Sequence, residues 1–216
     1  MLRIERMSFA WAGSKELFTE INLTIQPGES VLITGDNGMG KTTLLSLLAG
    51  LLKPNQGSIT KNGIELHLQK QNVLDGIIHI RQKAEDNLIG VTPKQELRIW
   101  QLAYPQLFTN RNIEDLLHIN GLQVLRDHAT ASLSSGELRR LALAPLALMA
   151  HRLWLLDEPL SGLDLEYREF YRALIKNKIS KSGNVIISSH DESAVDGCGL
   201  DRKWLITNNY IKEVTT

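Results

Sequence analysis

A glycine-rich loop near the N-terminus contains the residue types that bind phosphate groups. Glycines let the backbone pass close to phosphate oxygens, while backbone amides and a helix N-terminus supply partial positive charge. In the pattern G-x-x-x-x-G-K-[ST], the lysine reaches the β- and γ-phosphates and the hydroxyl residue ligates Mg²⁺. We therefore predict that this loop binds phosphate groups, with Lys41 at the β- and γ-phosphates and Thr42 as a ligand of Mg²⁺. The matching residues and the one that follows are Gly35-Asp36-Asn37-Gly38-Met39-Gly40-Lys41-Thr42 and Thr43.

Two neighbouring carboxylates follow an apolar segment much further along the chain. Asp157 and Glu158 come directly after the run Leu153-Trp154-Leu155-Leu156, which is typical of a buried strand. Phosphoryl transfer mainly needs positioning and charge stabilisation, so one carboxylate on the metal side and one general base suffice. We predict that Asp157 holds Mg²⁺ and that Glu158 polarises the attacking water.

The elements around these motifs alternate between strand and helix. Short apolar runs indicate strands at 2–10, 21–25, 30–34, 153–156 and 185–188, and helical patterns cover 42–52, 137–150 and 165–181. This alternation predicts an α/β fold with a mainly parallel sheet. A turn at Asn62-Gly63 adds an antiparallel β piece. Pro145 should kink the helix that contains it.

Composition narrows the classes of protein that fit. The chain has 216 residues, and 24 basic residues balance 24 acidic ones. That neutrality argues against a general nucleic-acid binder, which usually carries a basic excess. A single cysteine, Cys198, excludes a disulfide framework. The apolar stretch 141–156 contains Pro145 and is too short for an uninterrupted membrane span, so we expect any membrane role to be peripheral.

The segment Leu133-Ser134-Ser135-Gly136-Glu137 resembles the signature motif of ATP-binding cassette (ABC) ATPases, written LSGGQ or LSGGE. Other family elements follow in the expected order, and the resemblance extends from about residue 2 to residue 212. Trp11 matches the aromatic residue that stacks on adenine. The run Ser161-Gly162-Leu163-Asp164 matches the D-loop, and His190 matches the switch histidine.

The resemblance implies a P-loop NTPase of the ABC type with one domain over 1–216. Residues 1–98 and 150–216 would form the core with its antiparallel β subdomain, and 99–149 a shortened helical subdomain. It further implies that two such domains sandwich two ATP molecules head to tail. Ser134, Ser135, Gly136 and Glu137 would then bind the ATP held by the partner domain, while Lys41, Glu158 and His190 act in hydrolysis.

One family residue has three candidates. The family places a glutamine at the end of a strand, between the P-loop and the signature, where it ligates Mg²⁺ and acts in catalysis. The candidates for this glutamine are Gln95, Gln101 and Gln106. We favour Gln101 because the run from Ile99 to Asp115 resembles the energy-coupling-factor type of ABC importer.

Two departures from the family pattern accompany this choice. Only 33 residues separate Gln101 from Ser134, fewer than is usual, which suggests a trimmed helical subdomain. Ser135 replaces the first glycine of the signature. Serine tolerates most backbone conformations but not a strongly positive φ, so we expect catalysis to persist.

The function implied is the ATPase subunit of an ABC transporter, at the cytoplasmic side of the membrane and bound to transmembrane subunits. We favour the energy-coupling-factor type, which takes up vitamins or metal ions. The short chain also suits the haem-handling ATPase of cytochrome c maturation. Two further hypotheses are a soluble ABC ATPase acting on ribosomes or nucleic acid, and a cassette that binds ATP without hydrolysing it. The transported substrate, its direction and the choice between homo- and heterodimer remain open.

Overall fold

A computed structural model describes residues 1–68 and 76–214. Its helices are α1 (Lys41–Leu48), α2 (Pro93–Ala103), α3 (Asn110–Ile119), α4 (Ser135–Leu143) and α5 (Leu165–Ser180). Its strands are β1 (Leu2–Ala10), β2 (Glu16–Ile25), β3 (Ser30–Thr34), β4 (Gln56–Lys61), β5 (Ile64–Glu65), β6 (Ile77–Ile80), β7 (Leu153–Asp157), β8 (Val185–Ser188), β9 (Arg202–Thr207) and β10 (Tyr210–Val214).

The strands form two sheets. The larger has the order β10-β9-β3-β8-β7-β6, in which β3 pairs in parallel with both β8 and β9, and β7 pairs in parallel with β8. The smaller is antiparallel, with the order β2-β1-β4-β5. The predicted α/β fold with parallel and antiparallel parts is confirmed, whereas β6, β9 and β10 were not expected.

The central strands β3, β7 and β8 are rich in apolar residues because they are buried. Every residue of β3, β7 and β8 is buried. Parallel sheets covered on both faces show this pattern, because neither face alternates with solvent. In the register of β7 and β8, Asp157 lies opposite Ser188. The end of β7 therefore meets the end of β8 where the acidic motif begins.

The described chain divides into two compact units. The core unit comprises Met1–His79, His151–Glu158 and Ile175–Thr216, and the helical unit comprises Ile80–Ala150 and Pro159–Leu174. The first division falls at 79/80, upstream of the expected 98/99, and 159–174 also belongs to the helical unit.

Hydrogen bonds account for the position of that division. The Arg139 guanidinium donates to the carbonyls of Arg81 and Gln82, which ties the segment after β6 to α4. Glu96 accepts the backbone N–H groups of Ile89 and Gly90 at 2.8 and 2.7 Å. Residues 80–98 are thus bonded within the helical unit.

The helix expected over 137–150 changes type at its proline. The α-helical part, α4, ends at Leu143, and a 3-10 helix follows over Ala144–Ala147 with Pro145 in its first turn. Proline lacks a backbone N–H and cannot continue the α-helical ladder, so the predicted kink is instead a switch of helix type. Within the described ranges, no helix has both the length and the apolar character needed to cross a membrane.

Candidate active site

The glycine-rich loop requires glycine at the positions where its backbone turns. Gly35, Gly38 and Gly40 have φ angles of 140°, 82° and 98°. A Cβ on Gly40 would lie 2.9 Å from the Phe18 ring, and one on Gly35 would lie 2.8 Å from the Ile206 carbonyl oxygen. Both the dihedral angles and the contacts exclude larger residues. The loop leads directly into α1, which begins at Lys41.

Lys41 is folded over this loop. Its Nζ donates to the carbonyl oxygens of Gly35 at 2.6 Å and Asp36 at 3.1 Å, and its side chain is buried. An ammonium group has three donors, so a third N–H is available for a phosphate oxygen beside the two that bond these carbonyls. The loop and Lys41 together form a site suited to phosphate oxygens.

The acidic motif and the loop meet at one carboxylate. Thr42 Oγ1 donates to Asp157 Oδ2 at 2.6 Å, and the Ser188 hydroxyl donates to Asp157 Oδ1. Asp157 is buried. Hydroxyl and carboxylate oxygens are the donor atoms that Mg²⁺ prefers, and Mg²⁺ commonly binds one or two such groups together with substrate phosphates. The donor set therefore fits the predicted metal, although Mg²⁺ itself is not part of the structure.

Glu158 lies next to His190. Glu158 Oε1 accepts hydrogen bonds from the His190 backbone N–H and from Nδ1, each at 2.7 Å. The histidine side chain is 53% exposed and that of Glu158 only 6%. Glu158 adopts a positive φ of 48°, which non-glycine residues rarely do and which is common at functional sites. This arrangement holds a carboxylate beside the exposed His190, where it could act as a general base toward water.

Trp11 follows the last residue of β1. It is 50% exposed, whereas Phe9, the other aromatic residue of this segment, is 5% exposed. The two rings pack edge to face with centroids 5.2 Å apart. Phe9 is thus buried against Trp11, and Trp11 is the more exposed of the two rings and the one that a planar ligand could reach.

The signature motif lies in the helical unit and starts α4. Ser134 is the N-cap, and its backbone N–H and hydroxyl bond Glu137 at 2.7 and 2.8 Å in a capping box. These hydrogen bonds lower the pKa of Glu137 below its usual value. Ser135 is the first residue of the helix and has no positive φ. The serine in place of glycine therefore introduces no backbone strain here.

Close approach constrains the next residue of the motif. A Cβ on Gly136 would lie 3.3 Å from the carbonyl oxygen of Gly162, which belongs to the D-loop run. The signature and this run therefore pack tightly within the helical unit.

None of the three glutamine candidates ends a strand. Gln95 and Gln101 lie within α2, and Gln101 Nε2 bonds Asn110 Oδ1 at 3.3 Å. Gln106 lies in the turn after α2. The choice of Gln101 therefore conflicts with the family's placement at a strand end, because the segment around it is a capped amphipathic helix rather than a strand.

Gln82, which is not among the three candidates, occupies the expected place. It lies two residues after β6, whose run Ile77-Ile78-His79-Ile80 has the β-branched content of a short buried strand and was the available signal. From Gln82 to Ser134 the interval is 52 residues instead of 33. The trimmed helical subdomain was predicted from the shorter interval, which no longer applies when Gln82 is the family glutamine.

Comparison with known protein families matches residues 18–161 to the family described as "ABC transporter". The chain belongs to this family. A curated relative from Histophilus somni, "Cytochrome c biogenesis ATP-binding export protein CcmA", is 34% identical over 197 residues, covering 88% of this chain and 87% of that protein. A protein of the same name from Hyphomonas neptunium is 36% identical over 179 residues, covering 83% and 84%.

Solved structures match the whole cassette. "Structure of ATP binding subunit of ABC transporter" has a TM-score of 0.85 at 21% identity and covers 100% of this chain and 90% of the other. The ATP-binding cassette MJ0796, described as dimeric, post-hydrolysis and bound to ADP and Pi, has a TM-score of 0.83 at 22% identity, with 100% and 98% covered. The cbiO1 protein of Clostridium perfringens, described as part of the complex cbiONQ, gives 0.77 at 24% identity, with 98% and 86% covered. These likenesses confirm the fold, and family membership identifies the chain as an ABC transporter ATPase.

Proposed function

We propose that this cassette binds Mg²⁺ and ATP, closes on ATP as a dimer, and drives an export step of cytochrome c biogenesis through a membrane partner. The observation that carries the catalytic part is that five side chains of the core unit are placed by these contacts around the phosphate loop and the acidic motif. Lys41 lies over the phosphate loop, Thr42 bonds Asp157 at 2.6 Å, and Glu158 bonds His190 at 2.7 Å.

Each group has a role that its position supports. The loop amides and Lys41 would bind the phosphates, and Thr42 and Asp157 would hold Mg²⁺. When bound, Mg²⁺ would neutralise charge on the phosphate oxygens. Glu158 would accept the proton of the attacking water. His190 donates two hydrogen bonds to that carboxylate and so fixes its orientation.

The remaining predicted groups complete the site from two sides. Trp11 would stack on adenine, since its ring is exposed and packs against Phe9. Residues Ser134 to Glu137 would bind the γ-phosphate held by the partner copy, because the N-terminus of a helix carries partial positive charge that favours an anion. Gln82 replaces Gln101 as the proposed glutamine of this family element, because it follows β6.

Cytochrome c biogenesis is favoured over energy-coupling-factor uptake. Two relatives above 30% identity carry that name and match most of their length. The cbiO1 likeness, at 24% identity, supports the fold only. The run from Ile99 to Asp115, one of the segments that suggested the energy-coupling-factor type, surrounds Gln101, which lies in α2 and not at a strand end. The proposed substrate class is therefore haem or a related component of cytochrome c assembly, with the chain at the cytoplasmic side of the membrane.

Affinity purification of the tagged full chain from detergent-solubilised membranes tests the partner. We expect transmembrane subunits encoded with cytochrome c assembly proteins to co-purify, and the ATPase rate of the complex to exceed that of the isolated chain. A Lys41→Ala variant, which retains the fold but loses the phosphate contact, should retain the partners and lose the rate. Recovery of cobalt or vitamin uptake subunits, or of ribosomes alone, would contradict the proposal.

A further inference from the structure

Ser188, the last residue of β8, contacts both residues of the acidic motif. Its hydroxyl donates to Asp157 Oδ1 and accepts the backbone N–H of Glu158 at 3.3 Å. Its side chain has no exposed surface. One buried hydroxyl thus joins the carboxylate on the metal side to the backbone of the general base.

The strand register places this hydroxyl. Asp157 and Ser188 are register partners in the parallel pair β7 and β8. Register partners on adjacent strands point to the same face of a sheet, so both side chains emerge together at the strand ends. Glu158 N–H also donates to the Ser188 carbonyl oxygen at 3.1 Å. The backbone contact would remain if the hydroxyl were removed, so removal should act locally on the carboxylate.

The hydroxyl helps to fix the orientation of the Asp157 carboxylate plane beside the phosphate loop. Ser188 occupies Oδ1, while Oδ2 bonds Thr42 at 2.6 Å. Rotation of a carboxylate about its terminal bond is only weakly restricted by the side chain itself. Two donors on different oxygens supply the missing restriction. Without Ser188, the bond to Thr42 would be the one remaining side-chain hydrogen bond to this carboxylate among residues 1–68 and 76–214, and Thr42 is itself a proposed metal ligand.

We propose that Ser188 is a positioning residue of the ATPase site. It holds the Asp157 carboxylate so that Oδ2 is presented to the metal-bound nucleotide, without touching nucleotide or metal itself. This inference rests on the proposed Mg²⁺ site. Residues that bond a metal-ligating carboxylate typically contribute about 10- to 100-fold to metal affinity or activity.

The chain offers a matched control. Ser30 is also a strand serine with no exposed surface, and its hydroxyl donates to Asp201 Oδ2 at 2.7 Å. Ser30→Ala removes the same kind of buried bond in the same unit, away from the acidic motif. Comparing Ser188→Ala with Ser30→Ala separates positioning of Asp157 from a general loss of stability. Ser188→Thr keeps a hydroxyl and serves as the conservative variant.

The experiment measures the Mg²⁺ concentration for half-maximal ATPase rate, and the affinity for ATP by calorimetry with Mg²⁺ and with EDTA. For Ser188→Ala we expect the half-maximal Mg²⁺ concentration to rise about 10-fold or more. Affinity for ATP should fall with Mg²⁺ present and stay unchanged in EDTA. Ser188→Thr should restore the Mg²⁺ response, and Ser30→Ala should leave it unchanged.

Equal Mg²⁺ responses in Ser188→Ala and Ser30→Ala would overturn the positioning role, as would an equal loss of ATP affinity with and without metal. If Ser188→Ala fails to fold, Ser188→Cys takes its place, since a thiol is similar in size and a weak donor. We expect the half-maximal Mg²⁺ concentration of Ser188→Cys to rise in the same way, and an unchanged value would overturn the positioning role. A wild-type rate independent of Mg²⁺ would instead overturn the metal site itself, and the role of Ser188 with it.

Discussion

Replacing Glu158 with glutamine should stop turnover while leaving the site assembled. The amide keeps a carbonyl oxygen where Oε1 accepts the His190 backbone N–H and Nδ1, each at 2.7 Å. The group is 6% exposed, so the near-isosteric change leaves its packing unaltered. What is lost is the basic carboxylate that accepts the proton of the attacking water.

The size of the effect follows from that loss. A positioned general base contributes about 10²- to 10⁴-fold to a rate. At about 1.36 kcal/mol per factor of ten, this is about 2.7 to 5.4 kcal/mol of the activation barrier. ATP affinity should not change, because the phosphate contacts of Lys41 and the loop amides do not involve Glu158.

Phosphate release at saturating ATP and Mg²⁺ measures the rate, and calorimetry measures the affinity. Glu192→Gln is the matched control, since Glu192 is a half-exposed carboxylate two residues after His190 that pairs with Lys203. We expect the control to retain the wild-type rate. A Glu158→Gln rate within about threefold of the wild type, or an equal loss in the control, would refute the assignment of Glu158 as the base.

Three further predictions concern other groups. Trp11→Ala should weaken ATP binding by about tenfold, consistent with about 1–3 kcal/mol for stacking, with the maximal rate intact; unchanged affinity in calorimetry would contradict it. Gln82→Ala should lower the ATPase rate while Gln101→Ala leaves it unchanged, and the reverse result would restore Gln101. Burial lowers the pKa of Lys178 to about 8, so between that value and about 10.4 the unfolded chain binds more protons and stability should rise with pH, by up to about 1.4 kcal/mol per unit. In Lys178→Met this rise of the free energy of unfolding with pH should be absent, as measured by urea unfolding at several pH values. The same dependence on pH in the variant and the wild type would contradict the role of Lys178.

Features coded by neighbouring residues were predictable. The strand at 30–34 and the strand ending at Asp157 are continuous apolar runs because both faces are covered. The glycine positions of the loop follow from φ angles that other residues rarely adopt. The general fold followed from the alternation of these elements and is confirmed by the solved structures.

Features that depend on distant pairing were not predictable from patterns. β6 is four residues long, like β8, but its apolar run is interrupted by His79 and was not recognised as a strand, and Gln82 was overlooked with it. The bond from Ser188 to Asp157 depends on the register between strands 31 positions apart in the sequence. The capping box at Ser134 was readable locally, yet the helix end near Pro145 required the structure.

We propose that two copies of the chain close on ATP and that Glu158 then accepts the proton of the attacking water. Sedimentation of the Glu158→Gln chain with Mg²⁺ and ATP tests it most directly, because blocked hydrolysis should trap the closed state. We expect a monomer without nucleotide, a stable dimer with ATP, and a monomer again with ADP. A chain that stays monomeric with ATP at saturating concentration, or that dimerises equally with ADP, would contradict it.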